Sequence, residues 1–510
     1  MMLPLRIIRS RLLRTKEITL PLLRPQARSS SYSTKGSSSS PSSLRRIVTI
    51  IGVAGVSTPC LWWLMSGTQV QGDSNDNVPS LDEGTPPEQG QLGTEYDLTS
   101  RLSKEQVTKL ISQDAYSFLV KNVAGVNRYD GAQVASNSPC EDRYAHGKVP
   151  SPFPLGNYDD GGGGGGDQQW MAWAVFDGHS GWQTADLLER QLLPFVRRRL
   201  EQAQLDSGIG SDEVVQEAVK QGFTDLDASI FGTALDTAQS SRVPLQEKVE
   251  RLLPAYAGSC ALLSLYDPAT RNLHVACTGD SRAVLAQQLP DGSWETIPLS
   301  IDQTGSNDEE TARICKEHPG EKDIVKDGRV LGMMVSRAFG DGQWKWPLEV
   351  QRDMKRRFHG PGLLPPRYDV RTPPYLPAEP VVTSTRIDPS RPSFLIMATD
   401  GLWDMLSSQQ AVDLVGKWLV SSRKELDHTH GQFDFGHFRN GVNWESIEER
   451  ATVQDENAAV HLVRNSLGGN HHELVSGKLA FTPPHSRRLR DDITVQVVFF
   501  DGTDPEKRSS

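Results

Sequence analysis

Three apolar runs with the composition of β-strands each end just before an aspartate. The runs cover 171–176, 273–277 and 394–397, and the aspartates that follow them are Asp177, Asp280 and Asp400. A fourth run, 493–500, is instead preceded by Asp491 and Asp492. If the fourth strand is antiparallel to its neighbours, its start lies beside their ends. The pattern therefore predicts that these carboxylates gather at one edge of a β-sheet.

Carboxylates gathered at one edge would repel one another, and a bound divalent cation would remove that repulsion. Oxygen ligands without clustered histidine or cysteine favour Mg²⁺ or Mn²⁺ over Zn²⁺. Two such ions that share a bridging aspartate can generate a hydroxide nucleophile, which suits transfer of a phosphoryl group to water. A single Asp-Gly pair, such as Asp177-Gly178, is more simply a turn after a strand. Only the ordered set of acids favours the metal interpretation.

Seven segments of the chain resemble, in the same order, motifs of the metal-dependent protein phosphatase 2C family. They are residues 137–142, 175–181, 258–261, 278–282, 336–341, 398–404 and 491–494. The resemblance implies an α+β fold of four layers (αββα), in which two antiparallel β-sheets are flanked by helices. It also implies a serine/threonine phosphoprotein phosphatase with two Mg²⁺ or Mn²⁺ ions at one end of the sheets.

The resemblance assigns the metal ligands residue by residue. Asp177 would bridge the two ions, and Gly178 would offer its backbone carbonyl to one of them. Asp400 and Asp491 would hold the other ion. Glu141 would act on the second metal, partly through water.

Asp280 and Asp404 match positions that, together with Asp400, hold a weaker third metal in some members of the family. Asp404 also has a simpler interpretation. It follows Gly401-Leu-Trp403 and would be an acid at the start of a helix, where the helix dipole favours negative charge.

His179 follows the predicted bridging aspartate by two residues, and the resemblance implies that it is the general acid that protonates the leaving serine or threonine oxygen. That role requires a pKa near the working pH, which histidine supplies. Alternatively, His179 and Ser180 cap a helix that is predicted to run from Trp182 to Leu200.

One position departs from the family pattern. Many members carry an arginine that grips the substrate phosphate four residues before Glu141, where this chain has Asn137. Asp142, next to Glu141, would lie near the second metal. An amide cannot replace a bidentate guanidinium at equal strength. Arg143 and Arg337 are the candidates for the phosphate contact, although Arg337 also fits a purely structural role.

Within the family, the chain looks most like the mitochondrial pyruvate dehydrogenase phosphatases, which share the change at Asn137. The segments that carry this likeness are residues 137–143, 342–346, 372–380 and 457–464. The implied partner is the pyruvate dehydrogenase complex, whose E1 component would be activated by removal of phosphate from serine. Two alternatives stay open, namely another mitochondrial phosphoprotein as substrate, and a weakly active regulatory binding module. The presence of every acid at a predicted metal position favours an active enzyme.

The composition of the chain excludes several other classes of protein. The chain has 510 residues, a formal net charge of −10 and 37% hydrophobic residues, which excludes a coiled coil, a polytopic membrane protein and wholesale disorder. Its mild acidity argues against nucleic acid as a partner. The five cysteines lie far apart without a Cys-x-x-Cys pair, which excludes a zinc ribbon or a disulfide scaffold.

The charge is unevenly distributed along the chain. Residues 1–46 hold ten basic residues and one acid, a net +9, while the remainder holds 44 basic and 63 acidic residues, a net −19. The basic, serine-rich start predicts a mitochondrial transit peptide, with a disordered basic tail as the alternative. Residues 66–98 have the composition of a flexible linker, and 99–502 are predicted to form the catalytic domain.

Residues 47–65 form an uncharged stretch of 19 residues, which predicts a transmembrane helix. The alternatives are an apolar part of the presequence or a buried helix. Basic residues before this segment and acids after it would leave the domain outside the matrix. The pyruvate dehydrogenase complex lies in the matrix, so the sequence leaves open whether the protein is in the matrix or anchored in the inner membrane.

Two further segments and one helix are predicted from local composition. The six glycines of 161–166 predict a loop tip, and residues 342–375 predict a long irregular excursion. Ser103 and Gln106 predict a capping box at the start of a helix. The apolar face of that helix is predicted to comprise Val107, Leu110, Ile111 and Phe118.

Overall fold

A computed structural model describes residues 102–153, 169–207, 210–421 and 448–501 of the chain. The strands in these ranges are β1 (Tyr116–Leu119), β2 (Val126–Val134), β3 (Arg143–Pro150), β4 (Gln169–Phe176), β5 (Gly178–His179), β6 (Gly258–Ser259), β7 (Ala261–Asp267), β8 (Asn272–Thr278), β9 (Arg282–Gln288), β10 (Trp294–Pro298), β11 (Val325–Lys326), β12 (Arg329–Val330), β13 (Phe339–Gly340), β14 (Val381–Arg386), β15 (Ser393–Ala398) and β16 (Ile493–Phe500). The helices are α1 (Lys104–Ile111), α2 (Gln183–Ser207), α3 (Asp212–Gln239), α4 (Leu245–Tyr256), α5 (Asp308–Glu317), α6 (Gly342–Lys345), α7 (Leu348–Phe358), α8 (Asp400–Trp403), α9 (Ser408–Ser421), α10 (Ala458–Leu467) and α11 (His472–Ala480).

Two large sheets form the centre of the fold. The first has six strands in the order β1-β2-β16-β15-β9-β10, and the second has five in the order β14-β8-β7-β4-β3. Every pairing within both sheets is antiparallel. A small sheet in the order β13-β6-β5 lies at the end of β4, and β11 pairs with β12.

The side chains sort into three apolar layers. One layer lies between the two large sheets and includes Trp173, Val275 and Met397. The second packs the other face of the six-stranded sheet against α1, α8, α9, α10 and α11. The third packs the five-stranded sheet against α2, α3, α4 and α7. The predicted four-layer αββα fold is therefore confirmed.

Strand β16 shows why runs rich in apolar residues mark the central strands. All eight of its residues are buried. Ile493, Val495 and Val497 face the helical layer, whereas Val498 and Phe500 face the layer between the sheets. Because side chains alternate across a strand, burial of both faces favours apolar residues along its whole length, and six of the eight residues of β16 are apolar. The two polar ones, Thr494 and Gln496, form hydrogen bonds with Asp142 and Tyr116.

The predicted capping box is confirmed, because Ser103 Oγ accepts a hydrogen bond from Gln106 N while the Gln106 side chain accepts one from Ser103 N. The predicted apolar face behind it is only half right. Val107 and Ile111 are buried, but Leu110 is 39% exposed and Phe118 lies in β1, beyond the end of the helix.

Two other predicted segments differ in extent. The helix predicted to end at Leu200 continues to Ser207 as α2. The excursion 342–375, predicted to be irregular, is helical in its first half, where it forms α6 and α7. Its second half, which continues to β14, is irregular.

Several predicted segments lie outside the described residues and stay predictions. They are the transit peptide 1–46, the transmembrane segment 47–65, the linker 66–98 and the glycine loop 161–166. None of the helices in the described ranges has the length and apolar character needed to span a bilayer.

Candidate metal centre and active site

Three aspartates from different strand ends meet at one end of the sandwich. Asp177 follows β4, Asp280 comes two residues after β8, and Asp400 follows Thr399 at the end of β15. One carboxylate oxygen from each lies within 4.8 Å of the others. The backbone N–H of Asp400 donates to Asp177 Oδ2 at 3.4 Å. Strands from both large sheets therefore converge on this three-carboxylate group, which the sequence predicted at a single sheet edge.

Burial disfavours the ionised form of all three carboxylates, and the charge of Asp400 adds to this for the other two. Burial and the charge of Asp400 raise the pKa of Asp177 well above its usual range. The same two causes raise the pKa of Asp280 to about 7. Burial also raises the pKa of Asp400, whose Oδ1 atom is buried without a hydrogen-bond partner among the described residues. Oxygen ligands this close together, one of them unpaired, fit a divalent cation.

Asp491 lies beside this group rather than in it. Pairing of β15 with β16 sets Ala398 opposite Val495, so the start of β16 lies next to the turn that carries Asp400, as predicted. A Cβ on Gly401 would lie 2.1 Å from the Asp492 carbonyl oxygen and 3.2 Å from Asp491 Cβ, which shows how closely the two segments approach. Asp491 itself forms an ion pair with Arg487.

The loop between β2 and β3 (residues 135–142) brings Glu141 against the Asp177 turn. A Cβ on Gly178 would lie only 2.3 Å from the Glu141 carbonyl oxygen, so glycine permits this contact. Burial and the charge of Asp492 raise the pKa of Glu141. Glu141 is thus adjacent to the Asp177 turn, although it is not one of the three grouped carboxylates.

Asp492 fixes that loop in place, a role that the sequence did not reveal. Its Oδ1 accepts hydrogen bonds from the N–H groups of Ser136 (2.5 Å) and Asn137 (2.9 Å). Its Oδ2 accepts from Glu141 N (2.8 Å) and Asn137 Nδ2 (3.0 Å). Burial alone would raise the pKa of Asp492, but these donors outweigh burial and lower it. The adjacent pair Asp491-Asp492 was the available signal, since two acids before one strand need different roles.

Asp142 is buried behind the loop. Its Oδ2 accepts hydrogen bonds from the hydroxyls of Thr399 (2.9 Å) and Thr494 (2.7 Å). Burial and the charge of Asp492 raise its pKa well above the usual range. Asp142 therefore joins the β15 and β16 segments that carry Asp400 and Asp491.

His179 contacts Asp341, an acid for which the sequence predicted no role. Its Nε2 lies 2.7 Å from Asp341 Oδ2. The small sheet creates this contact, because His179 pairs with Gly258 and Gly258 pairs with Gly340. A Cβ on Gly258 would lie 2.1 Å from His179 Nε2, so only glycine leaves room for the pair. Burial acts to lower the pKa of His179, but Asp341 and other nearby carboxylates raise it overall.

Comparisons with known proteins agree with this arrangement. Residues 154–436 match the family described as protein phosphatase 2C. A protein phosphatase 2C homologue of Schizosaccharomyces pombe is 40% identical over 413 residues, covering 79% of this chain and 85% of that protein. The chain belongs to the protein phosphatase 2C family. It is a serine/threonine protein phosphatase, and a phosphoprotein is accordingly its class of substrate.

The chain is also similar to a phosphatase with a named substrate and, more distantly, to a phosphatase of known structure. The mitochondrial pyruvate dehydrogenase (acetyl-transferring) phosphatase 1 of Saccharomyces cerevisiae is 33% identical over 464 residues, covering 84% of this chain and 78% of that protein. The serine-threonine phosphatase 2C of Toxoplasma gondii has a TM-score of 0.42 at 19% identity, covering 76% of this chain and 99% of that one.

Asp404 ends α8 in this phosphatase. Its backbone N–H donates to the Asp400 carbonyl at 2.8 Å, and α9 begins only at Ser408. The interpretation of Asp404 as an acid at a helix start is therefore wrong. Its side chain is exposed and lies outside the three-carboxylate group.

The two arginines considered for the phosphate contact are engaged in structural contacts. Arg337 forms an ion pair with Glu310 at 2.7 Å and donates to the Glu379 carbonyl at 2.6 Å, with its side chain only 9% exposed. Arg143 donates to the carbonyls of Cys140 and Asp142 at 2.8 Å each. Both guanidinium groups hold backbone segments, which argues against either as the phosphate ligand.

Proposed function

We propose that this phosphatase requires Mg²⁺ or Mn²⁺ and acts in mitochondria, where it removes phosphate from serine in the E1 component of the pyruvate dehydrogenase complex. The observation that carries the metal dependence is the three-carboxylate group of Asp177, Asp280 and Asp400 with its unpaired Asp400 Oδ1. The substrate rests on the relatives named as pyruvate dehydrogenase phosphatases, which cover most of the chain. The basic, serine-rich composition of residues 1–46, which predicts a transit peptide, supports the location.

Different residues of the site would bind the metal ions and transfer the proton. Asp177, Asp280 and Asp400 would hold the cations, with Glu141 and Asp491 adjacent. When bound, such cations lower the pKa of water and neutralise charge on the phosphate. His179 is the group placed to give a proton to the leaving serine or threonine oxygen, and Asp341 keeps its ring oriented and favours the protonated form.

Hydrolysis of a phosphoserine peptide by the full-length protein tests the activity. We expect turnover with Mn²⁺ or Mg²⁺, loss of turnover in a chelator, and loss in Asp177→Asn. The matched control is Asp291→Asn, an exposed aspartate in the turn before β10, which should leave turnover unchanged. A wild-type protein that binds phosphopeptide without turnover would instead favour the regulatory binding module.

Substrate and location need a separate experiment. Mitochondria that lack the protein should accumulate phosphorylated E1, and the full-length enzyme but not Asp177→Asn should reverse this. Protease treatment of mitochondria and mitoplasts then determines the side of the inner membrane. Protection in mitoplasts would support the E1 substrate, whereas digestion would place the domain outside the matrix and favour another mitochondrial phosphoprotein.

A further inference from the structure

A phosphate ester that approaches this site meets a strongly acidic edge. Besides the three-carboxylate group, Glu141, Asp404 and Asp491 lie around it. Metal ions held by these acids would neutralise part of the charge of a phosphate dianion. A cationic side chain at the same edge would add hydrogen-bond donors, and guanidinium is the best match for the phosphate oxygens. The guanidinium groups of Arg143 and Arg337 already bind backbone carbonyls, and that of Arg337 also binds the Glu310 carboxylate. A guanidinium that binds the phosphate is therefore expected from another arginine.

We propose that Arg487 binds the phosphate group of the substrate in this phosphatase. Its side chain is 43% exposed and forms an ion pair with Asp491, the acid beside the metal-binding turn. A guanidinium has five N–H donors, so an ion pair with one carboxylate leaves donors for phosphate oxygens. The inference rests on the proposed phosphatase function.

The backbone that carries Arg487 is fixed to the active-site loop. Ser486–Arg488 form a single 3-10 turn just before Asp491. The buried hydroxyl of Ser486 donates to the Ser136 carbonyl in the β2–β3 loop. The same turn accepts hydrogen bonds at the Ser486 carbonyl from Leu489 N (2.9 Å) and Arg490 N (3.1 Å). Arg487 is therefore held at the acidic edge while its side chain stays accessible.

The charge of Arg487 also reaches the centre of the site. Burial raises the pKa of Glu141 and of Asp400, and the positive charge of Arg487 acts against both increases. This places the guanidinium within electrostatic range of two acids from different segments, Glu141 in the β2–β3 loop and Asp400 at the start of α8. A phosphate located between them would lie within the same range.

Kinetics and binding of inorganic phosphate test this role in the full-length protein. Arg487→Gln should raise KM for a phosphoserine peptide and the inhibition constant of inorganic phosphate together, by roughly ten- to hundredfold, since a charge-assisted contact is lost. The effect on kcat should be smaller. Arg488→Gln is the matched control, because it changes an exposed arginine on the same turn and should alter neither constant.

Calorimetric titration of the Mn²⁺-loaded protein with inorganic phosphate keeps this test independent of turnover. Weaker phosphate binding in Arg487→Gln alone would support the proposal even if the peptide is not hydrolysed, an outcome that would count only against the proposed function. Unchanged phosphate binding combined with weaker Mn²⁺ binding would overturn the proposal, since Arg487 would then only orient Asp491. An equal loss in Arg488→Gln would overturn it too.

Discussion

The Nε2 atom of His179 lies 2.7 Å from Oδ2 of Asp341, a residue 162 positions later in the chain. Asp341 is buried and has a left-handed backbone, with φ of 56°, and its N–H donates to the Ala257 carbonyl at 2.9 Å. Because its backbone is fixed in this way, the buried Asp341 carboxylate is placed to orient the His179 ring. The pair therefore joins β5 to the residue after β13, across the two outer strands of the small sheet.

His179→Gln should lower kcat by about 10²- to 10⁴-fold with a much smaller change in KM, because it removes the proposed proton donor. Steady-state kinetics on a phosphoserine peptide measures both constants. An unchanged kcat would exclude His179 as the general acid. Thermal unfolding of the variant serves as the control for folding.

Asp341→Asn should shift the pH dependence of kcat. Asparagine keeps the shape of the side chain and tolerates a left-handed backbone. Because Asp341 raises the pKa of His179, its loss lowers that pKa. The proposed acid works only when protonated, so the alkaline limb of the kcat profile should move to lower pH. A profile that loses height but does not move would contradict this account.

Gly258→Ala should disrupt the same pair sterically. Its Cβ would lie 2.1 Å from His179 Nε2 and 2.3 Å from Asp341 Oδ2, so the two side chains would have to separate. We expect a large loss of kcat with retained metal binding. Gly232→Ala is the control, because Gly232 lies within α3 with open space around its Cβ position, and alanine there should stabilise the protein by about 0.5–1 kcal/mol.

Asp177→Asn should stabilise the metal-free protein while removing its response to metal. Burial and like charge raise the pKa of Asp177, so at neutral pH its ionised form destabilises the fold, and this destabilisation fades as the pH falls. In a chelator, Tm of the variant should equal or exceed that of the wild type. With Mn²⁺, the wild-type Tm should rise by several degrees and that of the variant much less. A variant Tm well below the wild type in chelator would contradict this prediction.

Asp492→Asn should lower the free energy of unfolding by about 1–3 kcal/mol, since a carboxylate that accepts several N–H donors is lost. The pKa of Asp492 is lowered on folding, so its contribution to stability is present above the unfolded-state pKa of about 3.9 and disappears as the pH falls through the folded-state value. Denaturant unfolding at neutral and acidic pH measures this. The difference between wild type and variant should shrink in acid.

The local elements of the catalytic end could be predicted from the sequence. The four apolar runs became β4, β8, β15 and β16 with nearly the predicted ends, and β16 is antiparallel to β15 as required. These predictions succeeded because a strand buried on both faces is apolar at most of its positions. An aspartate that ends such a run marks the edge of the sheet.

The partners of individual side chains could not be predicted. The interpretation of Asp404 as a helix-start acid failed because it assumed that a helix begins after Trp403, whereas α8 ends there. Arg337 pairs with Glu310, 27 positions earlier in the chain, which its neighbours in sequence do not indicate. Asp341 positions His179, from which it is separated by more than 160 positions in the sequence. Asp492 holds Ser136, which lies more than 350 positions earlier.

The sequence by itself determined which acids end strands, in what order they occur, and therefore the class of chemistry and the family. Only the tertiary structure decided which acids meet. Asp177, Asp280 and Asp400 come together because two sheets stack and bring their strand ends to one side, while Asp491 pairs with Arg487 and Asp492 holds a loop. The physical reason is that strand identity depends on local hydrophobic periodicity. Carboxylate grouping depends on how separate strands pack, which no local pattern encodes.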